Sequence, residues 1–204
     1  MDNLLNLLSV LARNLGNELT MRQLAKESKV PYTTTHRLIE QNNELFIINP
    51  KGNIKLCSLN IKDELVKHYL ILAERKHYQV TAKKQPLIKI ITSELPKGEY
   101  TAILFGSRAE GNYREKSDFD ICVINSEGKN LSLSRLEMLY KIEINILCFS
   151  KKEFSAMLQE KDHNVAKEIL KKHIILKGEE YYWNLVWKNE IRQINIPRGI
   201  QKTA

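Results

Sequence analysis

The chain has 204 residues, 43% of them hydrophobic and 27% charged, with a net charge of +8. That is room for one large domain or two small ones. No apolar run reaches the length of a membrane span, and the start, Met1-Asp2-Asn3, lacks the positive region of a signal peptide. The three cysteines, Cys57, Cys122 and Cys148, are odd in number, widely spaced and set in apolar runs, which excludes a disulfide framework and predicts buried thiols in a cytoplasmic protein. The charge is uneven: +2 over 1–60, +4 over 61–97, −2 over 98–150 and +4 over 151–204. An acidic segment in a basic chain predicts a carboxylate site that holds cations, surrounded by surfaces that attract polyanions.

Leu4, Leu5, Leu8, Leu11, Ala12 and Leu15 recur at helical spacing, and Gly16 follows as a stop. Thr20 with Gln23 is a capping-box spacing that opens a second helix, with Leu24 and Ala25 on its apolar face. The run from Leu24 to Leu38 puts Val30 in a turn and uses Leu38 to lock a third helix inward. Lys29 stands where a tight left-handed turn favours Gly, at a cost of about 1 kcal/mol. Leu45 to Ile48 and Ile54 to Leu59 are strand-like around a turn at residues 49–53. Together these elements resemble the winged helix-turn-helix family. The resemblance implies that the third helix enters the DNA major groove, with Tyr32, Thr33, Thr34, His36, Arg37 and, from the wing, Lys51 facing double-stranded DNA, and that the protein is a homodimer.

Residues 61–84 predict a linker helix with Leu65, Tyr69, Leu70, Leu72 and Ala73 on its apolar side, and His68 and His77 at the surface. Pro86 opens another helix over Leu87 to Leu95, which stops at Pro96-Lys97-Gly98.

Tyr100 to Phe105 is a short apolar run with β-branched and aromatic residues, hence a buried strand, and Gly106-Ser107 follows directly. Ser107 with Glu110 again has capping-box spacing, so a helix start with free N–H groups is expected there, suited to phosphate. Gly106 lets a triphosphate approach the backbone, Ser107 can donate a hydroxyl hydrogen bond, and Arg108 is a candidate phosphate contact. Asp118-Phe119-Asp120 then enters the run Ile121 to Ile124. Positions i and i+2 of a strand share a face, so both carboxylates project together and repel unless a cation lies between them. Mg²⁺ or Mn²⁺ suits such oxygen ligands.

The motif Phe105-Gly106-Ser107-Arg108-Ala109-Glu110-Gly111, followed by Ser117-Asp118-Phe119-Asp120, resembles the minimal nucleotidyltransferases of the polymerase-beta superfamily. The resemblance implies a small mixed sheet flanked by helices, a nucleoside triphosphate substrate, two metal ions, and transfer of a nucleoside monophosphate with release of pyrophosphate. It also implies a third carboxylate on a neighbouring strand. Glu143 and Asn145 share a face of the run Ile142 to Phe149, and either takes that place depending on register; Glu143 would serve as base and metal ligand, whereas an Asn cannot accept a proton. A decayed transferase acting as a nucleotide sensor in a DNA-binding regulator is the alternative. Prokaryotic relatives of this kind further imply a small helical protein partner of toxin–antitoxin type.

Residues 151–159 and 165–172 have helical spacing, and Ile174-Ile175-Leu176 precedes a helix whose Tyr181, Tyr182, Trp183 and Trp187 are expected to pack. The tail from Arg198 is expected to be disordered. The organisation expected is α+β: a winged helix-turn-helix at 1–60, a linker helix at 61–84, a nucleotidyltransferase domain at 85–180, and a C-terminal helix and tail at 181–204.

Overall fold

The computed structural model describes residues 2–195, with side-chain surroundings as far as Asn189. The tail expected from Arg198 lies outside the described residues. The chain divides into two units, one of Met1–Tyr69 with Asn184–Ala204 and one of Leu70–Trp183.

In the first unit, α1 (Asp2–Arg13) buries Leu4, Leu5, Leu8 and Leu11. It stops two residues short of Leu15, and Gly16 takes φ 79° in the loop beyond. A two-residue strand β1 (Leu19–Thr20) leads into α2 (Met21–Ser28). Its capping box forms as the spacing requires: Gln23 N–H donates to Thr20 Oγ1 at 3.1 Å and Thr20 N–H to Gln23 Oε1 at 2.9 Å. The helix closes on Lys29 at φ 57°, ψ 29°, so the left-handed strain read from the sequence is present.

Helix α3 (Tyr32–Gln41) turns Thr35 and Ile39 inward. Leu38, expected as the inward lock, is only half-buried. The rotation lets the Thr35 hydroxyl donate to the Val30 carbonyl at 3.4 Å, satisfying a polar group buried from solvent. Strands β2 (Phe46–Lys51) and β3 (Ile54–Leu59) pair antiparallel with Lys51 opposite Ile54, and the sheet order is β1-β3-β2. The turn expected over 49–53 therefore narrows to Gly52-Asn53. Gly52 at φ 58° supplies the positive φ that a two-residue hairpin needs to match strand twist.

Helix α4 (Glu64–Lys84) is 21 residues long. Val66, Leu70 and Ala73 form its buried stripe, whereas Leu65 and Leu72, expected on the apolar side, are exposed. The stripe runs i, i+4, i+7: Leu70 and Ala73 lie on it as expected, and Val66 takes the place read for Leu65.

The second unit is built on a mixed four-stranded sheet of order β6-β5-β4-β7. Its strands are β4 (Thr101–Phe105), β5 (Phe119–Asn125), β6 (Ile144–Ser150) and β7 (Ile174–Lys177). Strand β4 is antiparallel to both β5 and β7, and β5 is parallel to β6. The parallel pair needs a crossover, which α7 (Ser134–Tyr140) supplies. Ala102, Leu104, Phe119, Ile121, Val123 and Ile144 pack in one core with Ile88 and Ile91 of α5 (Pro86–Glu94) and Leu136 of α7. Helices α8 (Lys151–Gln159) and α9 (Val165–Lys171) also lie against the sheet. All five residues of β4 are buried, as a strand covered on both faces must be. In α10 (Glu179–Asn195), Tyr182, Trp183 and Trp187 are buried, so these aromatics pack rather than face solvent.

Candidate active site

Alternation along β5 decides which way its carboxylates face. Phe119, Ile121 and Val123 enter the core, so Asp118 and Asp120 project from the opposite side at the strand's start. Phe105, the last residue of β4, pairs with Asp120, which sets Gly106 beside that carboxylate. Gly106 has φ 66°, and a Cβ there would lie 2.5 Å from Asp120 Oδ2. Glycine is therefore required twice, for the left-handed backbone and for the space Asp120 occupies. Gly106 opens the short helix α6 (Gly106–Glu110), whose N-cap is Phe105 and which no side chain caps. The capping box expected between Ser107 and Glu110 does not form, because Ser107 is already inside the first turn. Its carbonyl accepts the N–H groups of Gly111 and Asn112.

The β5–β6 register resolves the third position. Asn145 pairs with Asp120, and its Nδ2 donates to Asp120 Oδ1 at 3.2 Å and to Asp118 Oδ2 at 3.4 Å. Glu143 lies before the first residue of β6, is exposed, and contributes its carbonyl to Phe119 N–H at 2.9 Å. Among the described residues no three His, Cys, Asp or Glu side chains gather into a metal-holding group. Pairing Phe119 with Ile144 brings the amide of Asn145, the other residue read for the third position, to both aspartates. The donor set suits one hard divalent ion, since Mg²⁺ often takes one or two carboxylates and completes its shell with water and phosphate. Among the described residues no third acidic side chain joins the two aspartates to complete a two-ion centre.

Arg108, read as a candidate phosphate contact, turns inward. It is 5% exposed. Its Nε donates to the carbonyls of Ser117 at 2.8 Å and Asp118 at 3.1 Å, and its Nη2 to Ser117 and, at 3.1 Å, to Glu115. The guanidinium lies 3.8 Å from the Phe119 ring centroid and 5.1 Å from that of Tyr113. Burial lowers its affinity for the proton, an effect that Tyr113 and Asp118 partly offset. Those bonds tie Arg108 to the loop that delivers Asp118. Gln85 extends the network by donating to the Arg108 carbonyl at 3.2 Å; nothing in its sequence surroundings signalled that contact. Arg114 and Lys116 are exposed on the same loop.

In the first unit, Tyr32, Thr33 and Arg37 are exposed on α3, and Thr34 and His36 are half-buried. His36 Nδ1 lies 3.3 Å from Glu40, and Lys51 Nζ lies 3.7 Å from Glu18. A cleft of about 550 Å³ lies between the starts of α2 and α3 and the hairpin, with Arg22, Tyr32, His36, Asn53 and Lys55 among its walls. No helix among the described residues is long and apolar enough to cross a membrane.

Comparison with known proteins adds one match: residues 88–181 fit the family model described as polymerase beta, nucleotidyltransferase. No curated protein and no solved structure matches the chain. The matched span contains all but the first two residues of α5, the whole four-stranded sheet, Gly106-Ser107 and both aspartates. Residues 88–181 are a nucleotidyltransferase domain of the polymerase beta superfamily.

Proposed function

We propose that this domain binds a nucleoside triphosphate with one divalent ion and transfers its nucleoside monophosphate to a hydroxyl acceptor, and that residues 1–60 are a winged helix-turn-helix that carries this chemistry to DNA. The observation that carries the first part is the pair Asp118 and Asp120 on one sheet face, with Gly106 and Ser107 at the adjoining strand end. Asp118 and Asp120 would hold Mg²⁺ or Mn²⁺, which when bound neutralises charge on the triphosphate. Gly106 leaves the space in which Asp120 sits, and Ser107 offers a hydroxyl donor to phosphate. Arg108 keeps the Asp118 end of the loop in place. In the reaction the acceptor oxygen bonds to the α-phosphorus, the bond to the bridging oxygen breaks, pyrophosphate leaves, and the hydroxyl proton passes to water.

The test is incubation with each α-labelled nucleoside triphosphate and Mg²⁺ or Mn²⁺, beside Asp118→Ala and Asp120→Ala. Label transfer that disappears in both variants supports the enzyme. Activity retained in either one refutes the assignment.

A specific observation favours a second reading. Asn145 offers no base to the acceptor hydroxyl, which suits a DNA-binding regulator whose domain senses nucleotide. Metal-dependent nucleotide binding without transfer to protein, RNA or lysate decides for it.

Support for the DNA-binding module comes from α2, the turn at Lys29 and Val30, α3, and the β2–β3 hairpin. The cleft with Arg22, His36 and Lys55 in its walls has the charge and position to take a phosphate backbone. Tyr32, Thr33, Thr34, His36 and Arg37 on α3 and Lys51 on the hairpin would contact DNA as a homodimer on a two-fold site. Selection from random duplexes, followed by a salt titration, tests this. Affinity for duplex DNA that does not fall with salt, or that is unchanged in Arg22→Ala/Lys55→Ala, counts against it.

A further inference from the structure

Resting on that nucleotide-site reading, we infer that Asn145 restricts the centre to a single divalent ion and holds back its transfer, a restraint that one carboxylate in its place removes. The amide occupies the register position opposite Asp120 and spends its N–H groups on both aspartates, at 3.2 and 3.4 Å. Those hydrogen bonds reduce the mutual repulsion of the two carboxylates without adding charge. Turned the other way, the same side chain presents only a neutral carbonyl oxygen. A second ion would meet two carboxylates already shared with the first and no further anionic ligand, since no three acidic, His or Cys side chains gather among the described residues. The acceptor proton likewise has only water to receive it. Asn145 is thus a positioning residue that fixes ion number. Asparagine and aspartate are nearly the same size, so Asn145→Asp supplies both the missing ligand and the missing base with little change in packing.

The experiment counts bound Mn²⁺ by electron paramagnetic resonance on the full chain, with the α,β-methylene analogue of each ribonucleoside triphosphate in turn. Wild type, Asn145→Asp and Asn145→Ala are compared, with circular dichroism to confirm folding. One ion per chain is expected in wild type and Asn145→Ala, and two in Asn145→Asp. With labelled triphosphate, Asn145→Asp should transfer on the order of 10²-fold faster than wild type, the usual contribution of a placed base. Two ions in wild type overturn the inference whether or not the Asp variant folds. One ion in both wild type and folded Asn145→Asp overturns it while leaving the nucleotide-site reading intact. No ion in wild type with any analogue overturns that reading and the inference together.

Discussion

Replacing Gly106 by Ala sets a methyl group 2.5 Å from Asp120 Oδ2, where ordinary contact begins at 3.4 Å. Either the carboxylate or the β4–α6 backbone must shift by about 0.9 Å to relieve the overlap. The left-handed φ of 66° adds about 1 kcal/mol of backbone strain. Displacing a positioned ligand by about 1 Å costs on the order of 10²-fold in the function it supports. Gly111 provides an internal control, because it too is left-handed at φ 81° but has nothing within 4 Å of its Cβ position. Gly111→Ala therefore carries the strain without the displacement. Urea denaturation should show each variant losing about 1 kcal/mol. Titration with Mg²⁺ and a fluorescent triphosphate should show binding weakened about 10²-fold in Gly106→Ala alone. Wild-type binding by Gly106→Ala, or an equal loss of binding in both variants, would refute the claim that the glycine exists to admit Asp120.

Arg108→Lys keeps the charge but not the planar fork that reaches three carbonyls. It should destabilise the second unit by about 2–3 kcal/mol in chemical denaturation, and hydrogen exchange at residues 115–118 should speed up. Lys29→Gly removes the left-handed strain at φ 57° and should raise the stability of the first unit by about 1 kcal/mol, read from its unfolding midpoint. Burial pushes the Cys122 thiol up to about 12, from an ordinary value of 9.0. The folded state then keeps a proton that the unfolded chain releases. The Cys122 contribution is flat below pH 9 and should lower stability by about 1.4 kcal/mol per unit as pH rises from there toward 12. Cys57 is likewise raised to about 12, so iodoacetamide at pH 8 should leave both thiols unmodified until the protein is denatured.

Much of the local structure was legible because it is decided within a few residues. The Thr20–Gln23 capping box, Pro86 at a helix start, the buried run of β4 and the strained turn at Lys29 each follow from side-chain type and spacing. So does the projection of Asp118 and Asp120 to one side, since strand alternation has a period of two. Where the periodicity was ambiguous, as in α4 with Leu65 and Leu72 exposed, the tertiary structure chose Val66, Leu70 and Ala73 as the buried stripe.

The sequence by itself determined that two carboxylates follow a glycine-serine turn at the end of a buried strand. Only the tertiary structure decided what stands opposite them, because strand register is a long-range property. A shift of two residues in the β5–β6 pairing would have exchanged Asn145 for Glu143 without changing which face either occupies. It also decided the role of Arg108: a guanidinium beside a phosphate-binding turn is indistinguishable in sequence from one that folds back under the loop. The difference lies in whether the carbonyls of Glu115, Ser117 and Asp118 are near enough to receive it.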